Sequence, residues 1–325
     1  MATVSIIIPT FNRSKLLKEC VDSLLAQTYP DIEIIVADDG STDDTQATIT
    51  DIAQKHNNIS YYLRPHLGAQ AARNFGLTKA TGDFICFFDS DDMWPPEYIE
   101  TMIKALNTRP DFGAVYSRIM RYSNGKITGQ YGAMANPPSG YITTDLFSGK
   151  PFILPSSAIF RKNAWTGIFW DEVLKNRQDF DTFLRMSTRI KFAYIPDTYA
   201  IHRKHNNAIS VMAAKDVFDD GPRVMERFYF LVGGKSYMPK KWAFRQLSHR
   251  YRHFAMRNFR AGNRTASILL LKRAIFYFPL DLRLYMDLFR VFLLNPKNDK
   301  MPDWQMSPAL SPLVNKDDCC APDLT

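Results

Sequence analysis

Phe84-Ile85-Cys86-Phe87-Phe88-Asp89-Ser90-Asp91-Asp92-Met93-Trp94 decides how the rest of the chain is read. Five apolar residues run directly into three carboxylates within four positions. An uninterrupted apolar run of that length, rich in aromatics and with Ile, predicts a strand buried on both faces, as in a parallel sheet. Carboxylates crowded at the end of such a strand repel one another and lose hydration, so they are tolerated where a cation, or a ligand carrying one, shares the site. In open α/β sheets ligands sit at the carboxyl ends of the strands. Taken alone, the stretch is equally well read as an acidic loop capping a helix that starts near Pro95-Pro96. Its neighbours must decide.

They repeat the pattern. Val4-Ser5-Ile6-Ile7-Ile8 predicts a buried strand ended by Pro9. Lys15 to Gln27 then places Leu16, Leu17, Cys20, Val21, Leu24 and Leu25 at helical spacing, one face for a sheet. Ile32 to Ala37 is a second strand, running into Asp38-Asp39-Gly40-Ser41. A helix toward His56, a strand Ile59 to Leu63 and a helix Ala69 to Ala80 precede the strand Phe84 to Phe88. Alternation of this kind predicts right-handed βαβ units and a parallel sheet. Parallel strands share a carboxyl-end rim, so the acids after the second and fourth strands are predicted on one edge.

Past a helix from Pro95 to Asn107 the pattern becomes mixed. Ala114 to Tyr122, Asn124-Gly125 and Lys126 to Tyr131 read as a hairpin with a tight turn. Strands are expected at Phe152 to Phe160 and at Phe192 to Ile195 before Pro196, with a helix from Asp179 to Arg189 between them. From Asp216 the chain is helical, basic and aromatic, with a break at Gly233-Gly234 and an apolar stretch from Ile268 to Leu294. Basic, aromatic-rich amphipathic helices lie in membrane interfaces; equally, they pack on a neighbouring domain with arginines reaching outward. The expected organisation is a nucleotide-binding half over 1–110, an acceptor and catalytic-base half of the same domain over 111–215, a basic helical region over 216–295 and a flexible tail over 296–325.

The 325 residues are 46% hydrophobic and 23% charged, a globular composition. A net charge of +8 points to an acidic partner: nucleic acid, anionic lipid or a phosphorylated small molecule. Cys20 and Cys86 sit in apolar contexts, and Cys319-Cys320 have no metal-ligand spacing. No signal peptide and no apolar run of about 18 residues are visible, so the expected compartment is the cytoplasm.

Asp39, Asp89 and Asp91 on one sheet edge suit a charged donor. Two acids separated by one residue can hold Mg²⁺ or Mn²⁺, which completes its shell with phosphate oxygens and water. Arg13 and Arg73 would complement the same phosphates. Asp39, on another strand, can accept from a base N–H or a ribose hydroxyl.

Four motifs stand in order over the first hundred residues: Ser5-Ile6-Ile7-Ile8-Pro9-Thr10-Phe11-Asn12-Arg13, Ala37-Asp38-Asp39-Gly40-Ser41-Thr42-Asp43, Gly68 to Gly76 with Ala72-Arg73-Asn74, and Asp89-Ser90-Asp91-Asp92. Together they resemble family 2 of the nucleotide-sugar glycosyltransferases, and the likeness continues more loosely to about Ser210. The resemblance implies the glycosyltransferase-A fold, a Rossmann-like sheet with a mixed acceptor half and here a C-terminal helical appendage. It places Pro9, Thr10, Asn12, Arg13, Asp38, Asp39, Arg73, Asn74, Asp89 and Ser90 on the donor side, Thr10 and Asp39 meeting the nucleoside and Arg73 the phosphates. Asp89 and Asp91 match the Asp-x-Asp motif that meets ribose and metal, and His205 matches a histidine near the diphosphate or metal. Asp179 matches the catalytic base, in a dipeptide where Gln178 replaces the usual Glu. The reaction implied is inverting, metal-assisted transfer from a nucleotide diphosphate sugar, a UDP-sugar by the Asp39 likeness. The acceptor implied is a carbohydrate or lipid-linked hydroxyl in surface polysaccharide or glycolipid synthesis; peripheral contact of the C-terminal helices with the cytoplasmic face of a membrane stays one of their two readings, and no nucleic acid is expected.

Other readings stand beside this one. A phosphatase or phosphotransferase would use a strand-end Asp as nucleophile, but there the motif follows the first strand. A non-catalytic basic protein binding lipid or nucleic acid leaves two acidic strand ends unexplained. An inactive family member is the reading that Gln178 would favour.

Overall fold

The apolar runs at the head of the chain form strands because each presents β-branched or aromatic side chains to both faces of a sheet. In the computed structural model, which describes residues 2–204 and 220–293, these are β1 (Val4–Thr10), β2 (Ile32–Asp38), β3 (Ile59–Leu63) and β4 (Phe84–Phe87). They lie in the order β3-β2-β1-β4, every neighbouring pair parallel. The connections are α1 (Ser14–Leu25), α2 (Thr45–Ala53) and α3 (Ala69–Lys79). Leu17, Cys20, Val21 and Leu24 of α1 are fully buried in the same core as Ile6, Ile8, Ile34, Val36 and Cys86.

After α4 (Tyr98–Asn107) the sheet continues with strands of both senses. β5 (Phe112–Ser123) and β6 (Lys126–Tyr131) form the expected hairpin, with Asn124 and Gly125 at φ 52° and 78°, as its tight turn requires. Beyond α5 (Thr143–Phe147), β7 (Ala158–Arg161) runs antiparallel between β4 and β5. After α6 (Gln178–Met186), β8 (Lys191–Arg203) pairs with β5 in parallel. The sheet is thus mostly parallel on one side and mixed on the other.

Three strand boundaries differ from expectation, each for a local reason. β1 continues through Pro9 to Thr10, paired with β2. Ile7 O accepts from Phe88 N on the β4 side; two residues on, Pro9 faces that same side past the end of β4, where its missing N–H interrupts no ladder. The strand expected from Phe152 begins only at Ala158. Pro155–Ser157 is a 3₁₀ turn, closed by Ser157 Oγ, which accepts from Leu154 N at 2.9 Å. β8 does not stop at Pro196: its register against β5 shifts from Ser117↔Ile195 to Arg118↔Tyr199, so Pro196, Asp197 and Thr198 bulge out and pairing resumes. That bulge carries β8 onward to His202 and Arg203.

The chain divides into two compact units, Met1–Glu172 with Arg185–His205 and Val173–Leu184 with Asn206–Thr325. The second contains α7 (Gly221–Phe230), α8 (Lys240–Arg260), α9 (Arg264–Tyr277) and α10 (Leu282–Phe292). The apolar stretch beginning at Ile268 is two helices, parted around Pro279, with Asp281 capping α10 by accepting from Arg283 N. Inside this unit the Glu226 carboxylate, 1% exposed, accepts from Arg273 Nε and Tyr277 Oη. No helix among the described residues is long and apolar enough to cross a membrane.

Gly82, at the entrance to β4, sets how closely that strand approaches β1. A Cβ there would lie 2.6 Å from Thr3 O and 2.7 Å from Ser5 Oγ. Gly82→Ala is therefore expected to destabilise the protein by about 1–3 kcal/mol, read as a lower urea midpoint.

Candidate functional site

β1 lies between β2 and β4, so the chain leaves those two strands on one edge, two strand spacings or about 10 Å apart. Pairing of β1 with β2 ends at Thr10↔Asp38, and with β4 at Ile7↔Phe87. Thr10, Asp39 and the Asp89-Ser90-Asp91-Asp92 loop therefore share the carboxyl-end rim, as the alternation of strands and helices predicts. Every one of these residues except Asp89 is buried.

The turn after β2 is built by side chains that bond to the chain itself. Asp38 is fully buried; its carboxylate accepts from Ser41 N at 2.8 Å and from Tyr61 Oη at 2.7 Å. Asn12, at φ 51°, accepts from Thr42 N at 2.7 Å and so joins the β1 exit to the β2 exit. Asp39, 3% exposed, accepts from Leu67 N at 2.8 Å and from Gly68 N at 2.9–3.0 Å, fixing the loop that enters α3. His66 Nδ1 lies 2.8 Å from the same carboxylate. The His66 ring stacks on Phe11, centroids 4.2 Å apart, leaving two aromatic faces partly exposed on the rim. Asn74 bonds Trp170 through both its amide nitrogen and its oxygen, and donates to Glu172 as well. Asp38, Asn12 and Asn74, expected on the donor side, thus hold the loops that frame the rim.

Two arginines meet the Asp-x-Asp acids. Arg13 Nη1 donates to Asp91 Oδ2 at 2.7 Å, and Arg73 Nη2 to Asp89 Oδ1 at 2.7 Å. The Arg73 guanidinium also lies over the Trp170 ring, 4.8 Å from its centroid. The charge that the sequence reading assigns to a ligand is therefore supplied in part by the chain. Each guanidinium has five N–H donors. Arg73 Nε and Thr10 Oγ1 are buried without a hydrogen-bond partner. Orphaned polar atoms at a binding rim are groups that a ligand can satisfy.

Asp92 has a different place from its neighbours. It is fully buried, accepting from Ser156 Oγ and contacting His202 Nδ1 at 3.0 Å. Burial pushes its carboxyl up, to about 6, against the His202 contact that favours the ionised form. Burial disfavours a charged His202 ring, but the hydrogen bond and charge of Asp92 outweigh it and raise His202 to about 9. At neutral pH the two form an ion pair that ties the β8 end to the acidic loop. A separation of 110 residues hides this pair from sequence reasoning, as does the bulge that carries β8 past Pro196. His66 was legible in principle, since it lies at the exit of the third strand and so on the same rim.

Asp179 lies in the second unit, in the first turn of α6, where its Oδ1 accepts from Phe180 N at 2.8 Å. Gln178 donates to Leu174 O, and the buried Asp181 pairs with Arg227. His205 falls outside the described residues. Among the described residues no group of three His, Cys, Asp or Glu side chains could hold a metal unaided. The Asp89 and Asp91 oxygens fit the hard-ligand pattern of Mg²⁺ or Mn²⁺, which takes one or two carboxylates and draws the rest of its shell from phosphate and water.

Comparison with known proteins agrees with this architecture. Residues 5–169 match the sequence profile of Glycosyl transferase family 2. Glycosyltransferase GlyA of Streptococcus pneumoniae is 37% identical over 103 residues, 32% of this chain and 15% of that protein. A GalNAc(5)-diNAcBac-PP-undecaprenol beta-1,3-glucosyltransferase of Campylobacter jejuni is 28% identical over 165 residues, 50% of this chain and 53% of that protein. The chain therefore spans well under two thirds of these relatives. Among solved structures, S. aureus TarS 1-349 in complex with UDP superposes with a TM-score of 0.55 at 18% identity, covering 93% of this chain and 94% of that one. The mannosyltransferase PcManGT of Pyrobaculum calidifontis, solved with GDP-Man and Mn2+, gives 0.51 at 19% identity over 90% and 86%. The chain belongs to glycosyltransferase family 2, and its fold is of the glycosyltransferase-A type.

The Asp92–His202 pair has a pH signature. His202 is raised above its ordinary value, so its contribution to stability is complete below about 6.5 and is lost as pH rises through about 9. The raised Asp92 carboxyl acts in the same direction between its ordinary value and about 6. Melting temperature of the metal-free protein is expected to fall from pH 6.5 to pH 9, and His202→Gln is expected to flatten that fall.

Proposed function

We propose that the chain transfers a sugar from a UDP-sugar to an acceptor hydroxyl with inversion at the anomeric carbon. The observation that carries this reading is the rim itself: Asp39, Asp89 and Asp91 on one edge, with Arg73 on Asp89, Arg13 on Asp91 and Thr10 Oγ1 left unpartnered. Thr10 and Asp39 receive the nucleoside, and the remaining N–H groups of Arg13 and Arg73 receive the diphosphate. Asp89 and Asp91 would hold Mg²⁺ or Mn²⁺, with His205 as a further ligand, and a cation held there would supply charge neutralisation to the leaving diphosphate. Pro9 and Ser90 belong to the same donor side in this reading.

The acceptor oxygen attacks the anomeric carbon as the bond from that carbon to the diphosphate oxygen breaks. UDP departs with the electron pair, and the hydroxyl proton passes to Asp179. The leaving group needs no proton, so one carboxylate acting as base suffices, unlike the two of a glycosidase. The first turn of α6 favours the ionised form of Asp179 that a base requires. Residues 1–110 form the donor half in this reading, and 111–215 the acceptor half. The Campylobacter relative, a glucosyltransferase named for an undecaprenol diphosphate substrate, supports a lipid-linked acceptor; in this reading the product enters polysaccharide or glycolipid synthesis at the cytoplasmic face of a membrane. A strand-end nucleophile of the phosphatase kind gains no support, because Asp89 is held by Arg73.

A screen of nucleotide-sugars for UDP release tests the activity and identifies the donor. With the donor it selects, Asp179→Asn is expected to lower turnover on the order of 10²–10⁴-fold with donor affinity nearly unchanged. Asp91→Ala is expected to weaken metal-dependent donor binding instead. Full turnover in Asp179→Asn would assign the base elsewhere.

A further inference from the structure

α10 is apolar on two opposite sides. Leu284, Asp287 and Val291 are buried at the spacing of a helical seam, with Asp287 bonded to Arg252 of α8 at 2.7 Å. Leu282, Tyr285, Met286, Phe289, Phe292 and Leu293 follow the same period and remain exposed, Leu282 by 76% and Phe289 by 66%. At 3.6 residues per turn the second stripe is centred about 180° from the first. Leu280, 84% exposed, extends it over the preceding turn. Arg283 and Arg290 flank the stripe on one side, and the Arg264 guanidinium lies 5.7 Å from the Phe292 ring centroid. A contiguous row of large apolar side chains of this length marks an interaction surface.

Charge selects the partner. Residues 220–293 hold fifteen lysines and arginines against four aspartates and glutamates, a net +11 where the whole chain is +8. The basic character is therefore confined to the helical part, and the remainder of the chain is net negative. A second copy meeting this face across a two-fold axis would bring like charge against like. Nucleic acid would answer the charge but offers nothing to Leu280, Leu282 and Leu293. An anionic lipid surface answers both.

We propose that the outer face of α10 docks on an anionic bilayer. Leu280, Leu282, Met286 and Phe289 enter the boundary between headgroups and acyl chains, while Arg283 and Arg290 stay at the level of the lipid phosphates. The proposal stands apart from sugar transfer, and its test contains no donor.

The full chain is sedimented with sucrose-loaded vesicles of phosphatidylglycerol and phosphatidylcholine in equal parts, and with phosphatidylcholine alone. Three proteins are compared: the native chain, Met286→Glu/Phe289→Glu and Arg283→Gln/Arg290→Gln. The altered side chains are all exposed, and unchanged circular dichroism and melting establish that each variant folds. The native chain is expected to pellet with the phosphatidylglycerol vesicles, and each double variant to lower its partition on the order of tenfold. No preference for the anionic vesicles overturns the proposal. So does binding that survives Met286→Glu/Phe289→Glu, which would be electrostatic attraction without insertion. Light scattering that shows a dimer dispersed by the same pair, without vesicle binding, assigns the face to a second copy instead.

Discussion

Two arginine–carboxylate contacts, Arg13 on Asp91 and Arg73 on Asp89, hold the rest of the rim in place. Acids at the end of a buried strand lose hydration and repel each other, and without compensation they would be protonated or driven apart. The two guanidiniums arrive from different elements, one just before α1 and one within α3. Each is thereby bound to the acidic loop after β4, and the exits of β1, β3 and β4 become one surface. Under the proposed function, the remaining N–H groups of both arginines receive the phosphates. Under that proposal, the same interaction that makes the acids tolerable also prepares the rim for a diphosphate with its cation.

Around this pair the other polar groups fall into two sets. Asp38, Asn12, Asn74 and Asp92 bond to backbone or buried side chains and shape the loops. Thr10 Oγ1 and Arg73 Nε stay buried without partners. A frame that is fully satisfied, carrying a few polar atoms that are not, is the arrangement of a binding site formed before its ligand arrives. The helices of residues 220–293 have their own logic: a basic surface with an apolar stripe along α10.

Much of this was legible in the chain because the parallel half is built from local signals. Each apolar run of β1, β2 and β4 ends in a proline or acids, and alternation with helices requires those ends to share an edge. The same reasoning failed where pairing overrides a local breaker. Pro9 and Pro196 each predict the end of a strand, yet one lies past the end of its neighbour and the other is bulged out of the ladder. Pro155 acts the opposite way, starting a turn inside a run that reads as continuous strand. The Asp92–His202 pair and the Asn74–Trp170 staple join residues about a hundred positions apart, and no periodicity reports such contacts. The motifs name Asp38 and Asn74 but do not distinguish a residue that frames a site from one that touches the ligand; only the partners of each oxygen and nitrogen do so.

Whether the rim is one donor site is tested most directly by calorimetric titration of UDP. Saturable one-to-one binding with Mn²⁺ present, weakened about tenfold or more when EDTA removes the metal, is the predicted result for a diphosphate shared between two arginines and a carboxylate-held cation. UDP binding of equal strength with and without metal would contradict the role given to Asp89 and Asp91, and no binding under either condition would contradict the site.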